Sequence, residues 1–207
     1  MANDNFPRGL VPLNYPNHSF RYYRVATNND IFLGELVDRA STGYVTNALD
    51  VTSAGVQRFL GVAVGFAGPD RGGPATDDPY LDASDLTTLA SGLETGDRWV
   101  QVADDPDQLF VVQGDTGGTL ATLSAIGETA VLIYRATSGN TTTGWANLEL
   151  DASSNAASTG ATVLLHQLHE TVNSDGTRNA AGANYAKWVV RILNHRNRGA
   201  AESGVPV

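Results

Sequence analysis

Apolar and polar residues alternate along this chain over short stretches, and nowhere does a helical period last three turns. Strand-like runs fall at 20–25, 31–37, 43–45, 59–66, 99–102, 109–112, 130–135, 146–150, 161–168 and 186–193, separated by clusters of Gly, Ser, Thr, Asn and Asp. Short strands punctuated by turn residues predict an all-β protein whose body is a β-sandwich or a jelly-roll-like fold. The clearest pair is Trp99, Val100, Gln101, Val102 followed by Leu109 to Val112, with Asp104-Asp105-Pro106-Asp107 between them. Asp-Pro sets a turn, and β-branched and aromatic residues suit a pleated surface, so two strands joined by an acidic turn are expected. Run 59–66 is interrupted by Gly61 and Gly65, which predicts a buried strand with a bulge or a close backbone approach.

The same pattern divides the chain. Residues 1–19 interleave Pro7, Pro12 and Pro16 with Phe6, Leu10, Val11, Leu13 and Tyr15. Proline disfavours helix and central strand, so this is an extended arm that must bury its apolar residues on another surface, its own domain or a second chain. Residues 20–198 form one domain. Within it, 67–97 is a long acidic loop, opened by Gly68-Pro69-Asp70-Arg71-Gly72-Gly73-Pro74, with a short helical turn expected around 83–89 and little to offer a core. Residues 199–207 read as a flexible tail. No repeat of fixed period is visible.

Composition narrows the function classes. With 207 residues and 42% apolar content the chain can build one good core, and no apolar run reaches membrane-spanning length. The first residues lack the basic start and apolar stretch of a secretory signal, so the product is expected to stay in the cytoplasm that makes it or to leave by another route. Cysteine is absent, which removes disulfides, thiolate metal sites and cysteine nucleophiles. A net charge of −9 argues against nucleic acid as a partner. Eleven carboxylates lie between Asp70 and Asp115 against Arg71 and Arg98, while Arg8, Arg21 and Arg24 lie near one end and Lys187, Arg191, Arg196 and Arg198 near the other. An acidic middle with basic ends suits contacts between neighbouring subunits, or else a solvated acidic surface.

Candidate chemistry is thin. Gly114-Asp115-Thr116-Gly117-Gly118 has the Asp-Thr-Gly of an aspartic protease half-site without its flanking pattern. It also carries threonine where a Gly-Asp-Ser-Gly-Gly serine nucleophile would stand, and only His18 precedes it as a base. His166 and His169 would share a helix face, but a strand sends them to opposite faces. Asp104, Asp105 and Asp107 lack the glycine and later glutamate of a calcium loop and read as a solvated turn. No enzyme, cofactor or metal is therefore expected. Trp99 and Trp188 are assigned to the core, and Trp145, after the loop 138–144, is the best candidate for an exposed ligand-binding aromatic such as a sugar platform.

Four blocks in order resemble the cement, or head decoration, proteins of tailed bacteriophages. Phe6-Pro7-Arg8-Gly9-Leu10-Val11-Pro12-Leu13 is similar to their Pro-x-Gly-Leu-x-Pro start, and Phe59-Leu60-Gly61-Val62-Ala63-Val64-Gly65-Phe66 to their Gly-Val-x-x-Gly-Phe strand. Residues 100–107 with Phe110 and Gln113 resemble the family's acidic strand-turn-strand, and 186–195 its closing strand. The resemblance implies a structural protein on the outer surface of a virion, bridging subunits of the major capsid protein and itself assembling, as a homotrimer in preference to a dimer. It assigns the capsid or subunit interface to Phe6, Pro7, Arg8, Leu10, Val11, Pro12 and Tyr15. On this reading the arm is separable, and a chain lacking residues 2–16 should still fold. The alternative is a carbohydrate- or receptor-binding module of a virion or cell surface, using Trp145.

Overall fold

The computed structural model describes residues 3–13, 20–25, 30–41, 43–48, 58–67, 80–81, 98–116, 121–154 and 160–198. The expected helical turn at 83–89, Tyr15 and the tail 199–207 lie outside them. The strands are β1 (Val11–Pro12), β2 (Phe20–Arg24), β3 (Leu36–Arg39), β4 (Val45–Asn47), β5 (Gly61–Ala67), β6 (Trp99–Ala103), β7 (Leu109–Gln113), β8 (Thr129–Ala130), β9 (Leu132–Gly139), β10 (Ala146–Leu150), β11 (Val163–Leu168) and β12 (Lys187–Ile192). Two single 3-10 turns, Leu123–Ala125 and Arg196–Arg198, are the only helical pieces among the described residues. The protein is all-β, as the alternation predicts.

Three antiparallel sheets result: a five-stranded sheet in the order β1-β7-β12-β11-β8, a second in the order β2-β6-β5-β3-β4, and the hairpin β9–β10. In the second sheet the two outer strands approach each other at a parallel bridge between Val25 and Val45, which curls the sheet towards a small barrel. Two buried clusters follow from this curl, because successive side chains on a strand point to opposite faces. Val37, Val45, Ala63, Val100 and Val102 fill the inside of the curl. From the same strands Leu36, Val62 and Ala103 turn outwards and meet Phe110, Trp188, Val190 and Leu165 of the first sheet, with Leu132 and Leu148 of the hairpin. The arrangement is sandwich-like, with the larger cluster between the layers.

Gly61 needs its lack of a side chain. A Cβ there would lie 2.2 Å from the carbonyl oxygen of Ala103, so β5 can approach β6 only with glycine at that position. The register of β5 then shifts between Ala63 and Gly65, the bulge that the punctuated run predicts.

The acidic loop is not wholly a surface excursion. Leu81 is buried and exchanges backbone hydrogen bonds with Ile31 (2.9 and 3.0 Å), and Tyr80 stacks on Phe32 with ring centroids 4.6 Å apart. Two apolar residues within an acidic run are enough to anchor it, so the expectation that this segment contributes little to a core fails at Tyr80 and Leu81.

Candidate functional site at the arm

The arm folds back on its own body. Val11 and Pro12 pair with Val111 and Phe110 of β7 as an edge strand, and the Leu13 N–H donates to the Leu109 carbonyl at 2.8 Å. Leu10 is fully buried in the larger cluster. Its N–H donates to the Gly34 carbonyl at 2.8 Å, at a crossing where two glycines meet. A Cβ on Gly9 would sit 2.3 Å from the Gly34 oxygen, one on Gly34 would sit 2.1 Å from the Arg8 oxygen, and both residues have positive φ (63° and 81°). Glycine is required twice here, by conformation and by space.

Polar contacts continue the attachment towards the first residues. Asn3 donates to the carbonyls of Ala180 and Asn184 and accepts from Asn173, and Asp4 accepts from the N–H and hydroxyl of Ser174 at 2.6 and 2.8 Å. The Phe6 N–H donates to Gln113 Oε1 at 2.8 Å, while Gln113 Nε2 donates to Asn5 Oδ1 (2.9 Å) and to Glu149 Oε1 (2.8 Å). Glu149 has no exposed surface, and Arg135 Nε lies 2.8 Å from its other oxygen. Burial still raises its pKa, against the pull of Gln113 and Arg135. Gln113 thus reads the arm backbone on one side and a buried carboxylate on the other.

The predicted interface residues therefore divide. Leu10 and Pro12 are buried in this chain's own structure, Val11 and Pro7 are half-buried, and Phe6 and Arg8 are exposed. Trp145 joins the exposed pair. It is half-buried, and the parallel bridge between Leu33 and Trp145 brings the end of the β9–β10 hairpin beside the Gly9–Gly34 crossing. The Arg8 guanidinium lies 4.4 Å from the Phe6 ring centroid and 5.6 Å from that of Trp145, within cation–π range of both. Two candidate sets that are far apart in sequence form one cluster. Arg8 over the Trp145 ring also reduces the free aromatic face that a sugar would need.

Beside this cluster a groove of about 720 Å³ runs between the arm and the outer face of β7 and β12. Phe6, Arg8, Val111, Gln113, His169 and Lys187 line it, with Asp4 at its polar end. Burial and the neighbouring Lys187 lower the pKa of His169. His166 lies in β11 and is exposed, and the two histidines do not converge. Among the described residues no group of three or more metal-ligating side chains occurs, and no helix is long and apolar enough to cross a membrane.

The acidic turn between β6 and β7 differs from its expectation as a solvated loop. Asp104 is 2% exposed, the Tyr23 hydroxyl donates to its Oδ2 at 2.5 Å, and Arg21 approaches to 3.5 Å. Burial, followed by this hydrogen bond, pushes the Tyr23 pKa up to about 12. Asp105 accepts from the Asp107 N–H at 2.8 Å, closing the turn. Asp107, which is exposed, pairs with Arg198 and lies 3.5 Å from Arg191, and Arg196 pairs with Asp38. Of the acidic middle, Asp104 and Asp107 are thus paired with basic-end residues inside one chain. Trp99 also departs from its core assignment: it is half-buried, with Arg24 5.3 Å from its ring centroid, whereas Trp188 is fully buried.

The sequence matches no family model and no curated protein.

Proposed function

We propose that this chain is a structural virion protein that decorates the outer surface of a phage icosahedral capsid and stabilises it by bridging major capsid subunits, acting as a homotrimer. The observation that carries the reading is the cluster formed by exposed Phe6 and Arg8, on an arm otherwise locked to the all-β body, with half-buried Trp145 beside the β9–β10 hairpin. A stacked guanidinium between aromatic rings is the composition of an interface anchor, because aromatics and arginine contribute large contact area with little ordering cost. Such a protein needs positions held rigidly and no reacting groups, in keeping with the four ordered sequence blocks.

Where a major capsid gene lies in the same genome, the test is decoration of expanded heads made from its product. Phe6→Ala with Arg8→Glu is expected to reduce occupancy by about tenfold or more while the circular dichroism spectrum stays unchanged, since loss of interface anchors typically costs at least ~2 kcal/mol. Wild-type protein that does not bind such heads would sink the reading. Glycan-array binding that depends on Trp145 would instead favour the carbohydrate-binding alternative.

A further inference from the structure

We infer that the groove between the arm and the outer face of β7 and β12 is a docking site for an extended, carboxylate-bearing segment of a protein partner, held between Arg8 and Lys187. The identity of the partner as a capsid subunit rests on the proposal above. The chemistry of the occupant rests on the groove.

Charge selects the occupant. Five arginines are paired internally: Arg21 with Asp104, Arg135 with Glu149, Arg191 and Arg198 with Asp107, and Arg196 with Asp38, while Arg24, Arg39, Arg58 and Arg178 have no ion pair among the described residues and do not line the groove. Arg8 and Lys187 both line the groove, and neither has an ion pair among the described residues. Two unpaired cations facing one groove in a chain of net charge −9 form a local positive site. Asp4 also lines the groove, and hydrogen bonds from Ser174, with Lys187 nearby, hold its pKa below the usual value; its negative charge offsets one of the two cations, and the charged lining remains net positive by one, with both Asp4 oxygens already engaged by Ser174. Arg8 is also braced against the Phe6 ring, so less freedom is lost when its planar fork engages a carboxylate.

Shape and backbone chemistry set the manner of binding. Val11, Leu13 and Val111 give the groove an apolar floor, so the acid is accompanied by an apolar side chain. Strand addition to β1 is blocked. The Leu13 N–H points to β7, so position 12 faces the free edge, and Pro12 has no N–H to offer there. The occupant therefore binds through side chains. The groove volume lies within the roughly 300–1,000 Å³ of clefts that enclose small ligands or a few residues of peptide.

The experiment is a nitrogen–proton NMR titration of the full chain with the capped pentapeptide Ala-Glu-Leu-Glu-Ala, using Ala-Gln-Leu-Gln-Ala as control. The acidic peptide is expected to shift the amides of Gly9, Val111, Gln113 and Lys187, with the shifts lost in Arg8→Gln and in Lys187→Gln. Equal shifts from the control peptide, or shifts confined to another face, overturn the inference. In parallel, Lys187→Glu is expected to lower head occupancy about tenfold, as for other charge reversals at an interface. Peptide binding in the groove by a protein that never decorates heads retains this site and removes the capsid proposal. Normal decoration by both Lys187→Glu and Arg8→Gln, with no peptide shifts, does the reverse. If Lys187→Glu instead converts an oligomer to a monomer in light scattering, the groove holds a second copy of this chain and the inference fails.

Discussion

Glu35 is a carboxyl group placed where its charge is costly. It has no exposed surface, accepts hydrogen bonds from the Phe32 N–H (2.8 Å) and the Tyr134 hydroxyl (2.9 Å), and has no basic partner among the described residues. Burial pushes its pKa up to about 8, from 4.5. Below the lower value the group is protonated whether the chain is folded or unfolded. Between the two values the unfolded chain releases its proton and the folded chain keeps it, so stability falls as pH rises through this window and levels off above it. The full difference is on the order of 5 kcal/mol. Urea denaturation should therefore give a higher midpoint at pH 5 than at pH 8.5, and Glu35→Gln should flatten that slope. Asp104 offers a second contrast at this scale. Asp104→Ala removes the acceptor of the Tyr23 hydroxyl in a buried site and is expected to cost about 1–3 kcal/mol in urea denaturation. Asp107→Ala, which removes a solvent-exposed carboxylate from Arg198 and Arg191, is expected to cost about 0–1 kcal/mol. Their sequence context is the same acidic turn; burial separates them.

At the scale of elements, the arm is part of the body and not an appendage. Removing residues 2–16 would take Leu10 out of the larger cluster and strip β1 from the edge of its sheet, so the expectation of a body that folds normally without them is corrected. Burying a side chain such as Leu10 typically contributes 2–5 kcal/mol, a large share of a domain's margin. The Gly9–Gly34 crossing permits a milder test. Gly34→Ala combines a strained positive φ with a Cβ 2.1 Å from the Arg8 oxygen, so it should destabilise by about 2 kcal/mol or more. Limited proteolysis should then cut within residues 3–13 before the body unfolds. Cleavage at wild-type rates would show that the crossing does not hold the arm. Proline content announced an extended segment, but its landing place depends on two glycines 25 positions apart in sequence, Gly9 and Gly34.

At the scale of the molecule, part of the charge separated along the sequence is paired in space, at Asp104 and Asp107. The chain near its basic end returns over the β6–β7 turn through Arg191 and Arg198, and Asn197 donates to the Asp104 carbonyl at 3.0 Å. Among the cations with no ion pair in the described residues, Arg8 and Lys187 are the two that share the proposed groove. The strands themselves were legible beforehand because alternation is a local property: a pleated strand half-buried on one face must show period two wherever it lies. Runs 20–25, 99–102, 109–112, 146–150 and 186–193 accordingly appear as β2, β6, β7, β10 and β12 within a residue or two. The glycine-punctuated run and its bulge were legible for the same reason. What only the tertiary structure decided is which strands pair, that the arm is buried at Leu10, that Asp104 is inside while Asp107 is outside, and that Arg8 meets Trp145. Each of these depends on contacts between residues far apart in the chain, and a pattern read over neighbouring positions carries no term for such contacts.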